Sequence, residues 1–236
     1  MFAYKTRMKI SRRIPSTERR EQIIEAAKRV FARNGFHGTT TKLLAQEAQV
    51  SEALLFKHFP SKEAMYKAML EACRLSESGA EFDRVLSLEP STSTLAILIH
   101  FLFNKVVRPD EDVRTMSRMI ARSLSENGDF ARVILDHLDE TWIAKFRECL
   151  AAAKKAGDLR PQSQPIFNSA WFAHHVIVTI ALYHIPEPCV VDYKMSREKL
   201  AEECVKFCLR GMGFKDEAIE RHYNPRALAL FSAAQA

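Results

Sequence analysis

Residues 39–59 read TTTKLLAQEAQVSEALLFKHF. Two short apolar stretches lie inside this segment, parted by Ala48-Gln49-Val50-Ser51. In a helix over Thr40–Ala48, Leu44 and Ala48 lie four apart and share one face. In a second helix, capped by Ser51 and running to about His58, Leu55 lies four before Phe59. Neither stretch is long enough to stand alone, because isolated helices below roughly 12–15 residues are marginal in water. They must share a core with a third helix. Two short helices joined by a tight turn of three or four residues form a helix-turn-helix. The second helix of such a pair enters the DNA major groove, where base edges present distinct donors and acceptors. That accounts for the many polar groups left facing outward: hydroxyls and helix N-termini suit phosphates, and lysines neutralise them.

The flanking sequence supplies the supporting helices. Pro15 closes a stretch that contains Lys5, Arg7, Lys9, Arg12 and Arg13 and no acid. Ser16 or Thr17 is then placed to cap a helix over 17–34. Glu18 and Glu21 lie in its first turns, where they favour the helix dipole. Ile23, Ala27, Val30 and Phe31 recur at helical spacing, and Asn34-Gly35 is a stop signal. Pro60 ends the second short helix. Ser61 caps a fourth helix, with Met65, Met69 and Ala72 on its apolar side.

Charge is segregated along the chain. The formal net charge is +6 over 236 residues. Residues 1–70 hold 14 Lys and Arg against 6 Asp and Glu, a balance of +8, and the remainder balances at −2. A basic N-terminal third suits a polyanionic partner, nucleic acid or an anionic membrane surface. The membrane reading is the weaker, since the arm lacks the interleaved Phe, Trp and Leu of an interfacial helix apart from Phe2 and Tyr4. The most apolar long run, Ile166–Tyr183, is broken by Asn168, Ser169, His174, His175 and Thr179, and reads as a buried helix. Five cysteines without a Cys-x-x-Cys pair, and an N-terminus without an apolar signal core, predict a reduced, cytoplasmic protein.

Low glycine content and long Ala/Leu/Glu/Lys/Arg segments predict an all-α protein. Further helices are expected near 92–107, 110–125, 129–156, 165–184 and 196–212, with a short one in GFKDEAIERHY. The expected organisation is a basic arm (1–15), a helix-turn-helix domain (16–60), and a larger helical domain (61–223, with 61–76 connecting). A tail or short helix over 224–236 completes it.

Residues 17–70 resemble the DNA-binding domain of the tetracycline-repressor (TetR) family of transcriptional regulators. The stretches that carry the likeness are IIEAAKRVFARNGFHGTT and LAQEAQVSEALLFKHFPSKEAM. The resemblance implies a three-helix domain that binds an inverted-repeat operator as a dimer. Thr40 would cap the second helix and offer its hydroxyl to phosphate, and Lys42 would reach the backbone from that helix's first turn. Glu52, Ala53 and Leu54 would open the recognition helix towards the bases, and Ser51, its cap, would be a further DNA contact. Lys57, His58 and Lys62 would lie towards phosphates. Two positions depart from the family pattern. Gln49 stands at the usual turn glycine, and Phe56 replaces a tyrosine whose hydroxyl typically meets phosphate. The basic arm is the expected compensation for the latter.

By the same analogy the rest of the chain is a ligand-sensing and dimerisation domain. His100, Phe103, Met116, Met119, Trp142, Phe146, Trp171, His174 and His175 are its candidate contacts for a small, largely apolar effector. Phe172 and Ile180 on one helix, with Leu200, Cys204, Phe207 and Cys208 on another, are candidates for a four-helix interface between two copies. The His174-His175 pair and Cys204-x3-Cys208 do not have a zinc spacing, so no metal is expected. No nucleophile elbow, H-E-x-x-H or phosphate loop is present, and neither an enzyme nor a bound cofactor is expected. The alternatives are a helix-turn-helix accessory DNA-binding protein without an effector and, more remotely, a metal-dependent helical enzyme.

Overall fold

The computed structural model describes residues 14–74, 77–107, 111–161, 168–226 and 228. Its regular structure among these is helical, apart from one isolated antiparallel bridge between Leu159 and Phe214. The chain divides into two compact units between Ala72 and Cys73. The sequence boundary at 60/61 therefore falls inside the first unit, and most of the connecting helix belongs to that unit.

In the N-terminal unit, α1 spans Ser16–Gly38. Pro15 occupies its cap position with no side-chain cap bond, in place of the expected Ser16 or Thr17. The stop at Asn34-Gly35 is present as a break within the helix. Gly35 has φ 68 and ψ 178, a conformation essentially confined to glycine, and one further turn follows it. Helices α2 (Thr41–Glu47), α3 (Glu52–His58) and α4 (Lys62–Arg74) come next. Ile23, Ala27, Val30 and Phe31 of α1 are buried, as are Leu44, Leu55, Phe59, Met65 and Met69. Phe31 stacks edge-on against Tyr66, with ring centres 4.9 Å apart. Each of these buried side chains apart from Ala27 contributes about 1.5–3 kcal/mol on burial, so the small core depends on all four helices.

The second unit holds α5 (Glu77–Leu86), α6 (Thr92–Val107), α7 (Glu111–Ser125) and α8 (Asp129–Leu138). A π-turn over Asp139–Ile143 leads into α9 (Ala144–Ala156). Then follow α10 (Ser169–Leu182), α11 (Arg197–Gly211) and α12 (Asp216–His222). Helix α6 lies at the centre, packed by α9, α10, α11 and α12. Its Leu95, Leu98, Ile99 and Phe103 are fully buried. At its N-terminus, buried Asp158 accepts a bond from Thr92 Oγ1 (2.6 Å) and faces His222 Nε2 at 3.3 Å. That pair ties α12 to the start of α6. Helix α5 had no counterpart in the sequence reading, and the single helix expected over 129–156 is interrupted by the π-turn.

Candidate nucleic-acid interface and buried aromatic cluster

Both short helices of the opening segment are held by their caps. Thr40 Oγ1 accepts from Leu43 N (3.2 Å) and Ser51 Oγ from Leu54 N (3.1 Å), each satisfying one open amide of a helix start. Between them Gln49 takes φ 54, the left-handed conformation that the glycine expected there adopts without strain. The neighbouring Thr39 is buried and donates to Gly35 O at 2.6 Å, locking the break in α1.

The outward side of this pair carries Thr40, Lys42, Ser51, Ala53, Phe56 and Lys57, all exposed, with Leu54 and His58 half-buried beside them. Lys42 and Lys57 hold no carboxylate among the described residues. Two other candidates are committed elsewhere. Glu52 accepts a bond from Thr41 Oγ1 at 2.8 Å, which ties the start of α3 to the start of α2 and engages the acid expected to face a base. The sequence places Lys62 towards phosphate, whereas the structure turns it into the protein. Its Nζ donates to Phe36 O (2.8 Å) and Thr39 O (3.1 Å) and lies 4.1 Å from the centre of the Phe36 ring. A cation at the carbonyl end of α1 satisfies acceptors the helix cannot satisfy itself. Leu43 on α2 is exposed, although its apolar side chain next to Leu44 suggests core. Only the helical phase separates the two.

Two cations of α1 share one carboxylate of α2. Arg29 Nε meets Glu47 Oε1 at 2.8 Å, and Arg33 reaches the other oxygen of the same carboxylate. These hydrogen bonds hold the Glu47 carboxyl below its ordinary range and clamp α2 onto α1. Arg20 lies over the Phe59 ring at 5.0 Å. The arm residues Lys5, Arg7, Lys9, Arg12 and Arg13 lie outside the described residues.

In the second unit, five of the expected effector contacts form one cluster. The π-turn presents Trp142, fully buried, with Phe146 one turn on at 5.1 Å between ring centres. Opposite stands His174 of α10, 6.2 Å from Trp142 and 5.5 Å from Trp171, while Trp171 stacks on the exposed His175 at 5.8 Å. His174 is 8% exposed, and burial with the adjacent His175 depresses its pKa to about 4, so it is neutral at pH 7. Two polar atoms in the cluster, Trp142 Nε1 and His174 Nδ1, are buried without a hydrogen-bond partner among the described residues.

Of the other effector candidates, Phe103 shares the apolar core of Trp142 and Phe146, while Met116 and Met119 do not. His100 Nδ1 is bonded to Tyr223 Oη at 2.9 Å, and burial lowers its pKa. Phe103 is solid core. Met116 is half-buried and Met119 buried on α7, and neither belongs to the apolar core that encloses Trp142.

The interface candidates also divide. Leu200, Cys204 and Cys208 point into the core of their own unit, on the inner stripe of α11 with Ala201, Val205 and Leu209. Phe207 faces away, 65% exposed, and Phe172 of the adjacent α10 is 54% exposed; Ile180 is partly buried. Grouping Phe207 with the two cysteines therefore mixed two faces of one helix. Cys149, Cys189, Cys204 and Cys208 are free thiols, and no group of three or more potential metal ligands occurs among the described residues. No helix among these residues is long and apolar enough to cross a membrane.

A capped helix-turn-helix on a supporting helix, ahead of a separate helical unit, defines the class of helix-turn-helix proteins with a larger helical domain. Residues 23–69 match the family described as bacterial regulatory proteins, tetR family. The chain is 41% identical over 59 residues to the HTH-type transcriptional activator FasR of Mycolicibacterium smegmatis, covering 25% of this chain and 27% of that protein. It is 37% identical over 65 residues to the HTH-type transcriptional repressor AcnR of Corynebacterium diphtheriae, covering 27% and 34%. The matched regions thus span about a quarter to a third of these curated relatives. Among solved structures, NalD of Pseudomonas aeruginosa, a secondary repressor of the MexAB-OprM multidrug efflux pump, aligns over 86% of this chain and all of its own. The TM-score is 0.65 at 21% identity. AibR, solved with isovaleryl coenzyme A and operator DNA, aligns over 80% and 97% with a TM-score of 0.61 at 18% identity. At those identities the likeness establishes the shared fold.

Proposed function

We propose that the chain is a cytoplasmic transcriptional regulator that binds a double-stranded operator as a homodimer and responds to a small, largely apolar effector in its helical unit. The observation that carries this reading is the outward side of α2 and α3. Two capped helix starts, two lysines without a carboxylate partner among the described residues and a short apolar row stand on a surface that the core does not use. Thr40, Ser51, Lys42, Lys57 and His58 serve the backbone. Ala53, Leu54, Leu43 and Phe56 meet base edges, where small apolar groups suit thymine methyls. The names of FasR, AcnR and AibR support the assignment, and they include both an activator and a repressor. Exposed Phe172 and Phe207, on helices in contact, supply an apolar surface for a second copy. A dimer presents two recognition helices to half-sites about 34 Å apart, one turn of DNA.

The test is selection of bound sequences from a random duplex pool, followed by titration over a salt series. An inverted repeat is expected. Lys57→Ala weakens binding to all duplexes and lowers the salt slope by about one. Leu54→Ala changes the preference among duplexes. Equal affinity for every duplex, or no binding at low salt, refutes the assignment.

A further inference from the structure

The buried cluster around Trp142 contains a local conflict. A buried polar group without a partner costs about 1–3 kcal/mol, and here two occur on rings whose centres are 6.2 Å apart. Trp142 is fully buried and His174 is more than nine-tenths buried. The surrounding rings, Phe146, Trp171 and His175, satisfy neither nitrogen. Trp142 also lies within the π-turn. Such turns interrupt the ordinary helical ladder and recur at functional sites. A helical core with no task for these groups would place a phenylalanine and a leucine there.

The chemistry of the pair selects its complement. Indole Nε1–H only donates, so the missing partner is an acceptor. Histidine Nδ1 either donates or accepts, according to tautomer. A single carbonyl oxygen, with two lone pairs, can take a bond from each ring. Among the described residues no Lys or Arg has a recorded contact with these rings. On the neighbouring turns, Lys145 is paired with Glu148 and Arg147 with Asp139. An anion buried here would lack a counter-charge, a heavy penalty away from water. A lone water would gain only two side-chain partners, fewer than the three bonds a buried water typically makes.

We infer that Trp142 Nε1 and His174 Nδ1 are the polar end of the effector site, and that it takes neutral, carbonyl-bearing apolar molecules in preference to carboxylates or hydrocarbons. This rests on the ligand-responsive reading above and narrows it to a chemical class.

Three probes of nearly equal shape separate the classes: acetophenone, benzoate and isopropylbenzene. The readout is the indole N–H proton resonance of isotope-labelled full chain. The chain has two tryptophans, so Trp171→Phe assigns the signal of Trp142. Acetophenone is expected to move that signal downfield, saturating in the millimolar range normal for so small a ligand. Benzoate and isopropylbenzene should bind at least about tenfold more weakly, the factor carried by one good hydrogen bond. His174→Leu, which removes one orphan at similar volume, should raise the melting temperature while weakening acetophenone about tenfold. A silent Trp142 signal with acetophenone overturns the inference, as does benzoate or isopropylbenzene binding as tightly. A lowered melting temperature in His174→Leu also counts against it, because the imidazole would then be serving the fold. If some other compound releases DNA without moving the Trp142 proton, the ligand-responsive reading stands and this site assignment falls.

Discussion

Lys62→Met removes one charge and keeps most of the aliphatic stem, and it separates two roles for this lysine. If Lys62 acts as the structure shows, its loss is a stability effect. A charged donor shared between two carbonyls contributes about 1.5–3 kcal/mol, and its seat over the Phe36 ring about 0.5–1 kcal/mol. These terms share one ammonium group and do not add fully. Phe36 O also keeps its bond from Thr39 N, and water reaches part of the site. A loss of about 2 kcal/mol follows, which for a unit of this size lowers its transition by roughly 10 °C. Both tryptophans lie in the second unit, so their fluorescence is an internal reference, while circular dichroism follows the helices of both units. Lys62→Met should advance an early portion of the dichroism transition relative to the tryptophan transition. The salt slope of DNA binding should stay unchanged. An unmoved melting profile together with a slope reduced by about one would place Lys62 on phosphate and refute the reasoning.

Gln49→Gly relieves a left-handed φ at the cost of extra freedom in the unfolded chain; it should stabilise the first unit by about 0.5–1 kcal/mol, and a destabilised variant in the same melting assay would contradict this. His174 has its pKa depressed to about 4 from an ordinary 6.5, so the unfolded state binds the proton more readily. Protonation therefore penalises the folded state: no loss is expected above pH 6.5, and stability falls as pH drops towards 4, by up to about 3 kcal/mol. Urea midpoints of the wild type should fall over that window more steeply than those of His174→Leu, and parallel curves would remove the effect. Phe207→Glu with Phe172→Glu should yield monomers by sedimentation with melting nearly unchanged, whereas persistent dimers would move the interface elsewhere.

The helix-turn-helix was legible because its signals are local. Thr40 and Ser51 are caps, Gly35 breaks a helix, and Leu44, Leu55 and Phe59 mark one face. Lys62 was not legible, since a lysine near a helix start looks the same in sequence whether it meets water, phosphate or the carbonyls of a helix end 26 residues earlier. Leu200, Cys204 and Cys208 show a related limit. Helical periodicity identifies a buried stripe but not whether it packs on its own chain or on another. The Trp142–His174 cluster was visible as composition. Its geometry depends on a π-turn in Asp-Glu-Thr-Trp-Ile, a stretch with no glycine or proline to announce it.

The sharing of Glu47 by Arg29 and Arg33 has a kinetic consequence. Pairing withdraws two guanidinium groups from close contact with phosphate, so they displace few counterions and add little to equilibrium affinity. It leaves the summed charge of the N-terminal third at +8. The far field that draws a polyanion through solution depends on that sum, whether or not its charges are paired locally. On the proposed DNA-binding reading, the rate at which this surface finds a duplex and the strength with which it holds one draw on different sets of residues, and selection can tune arrival and residence separately.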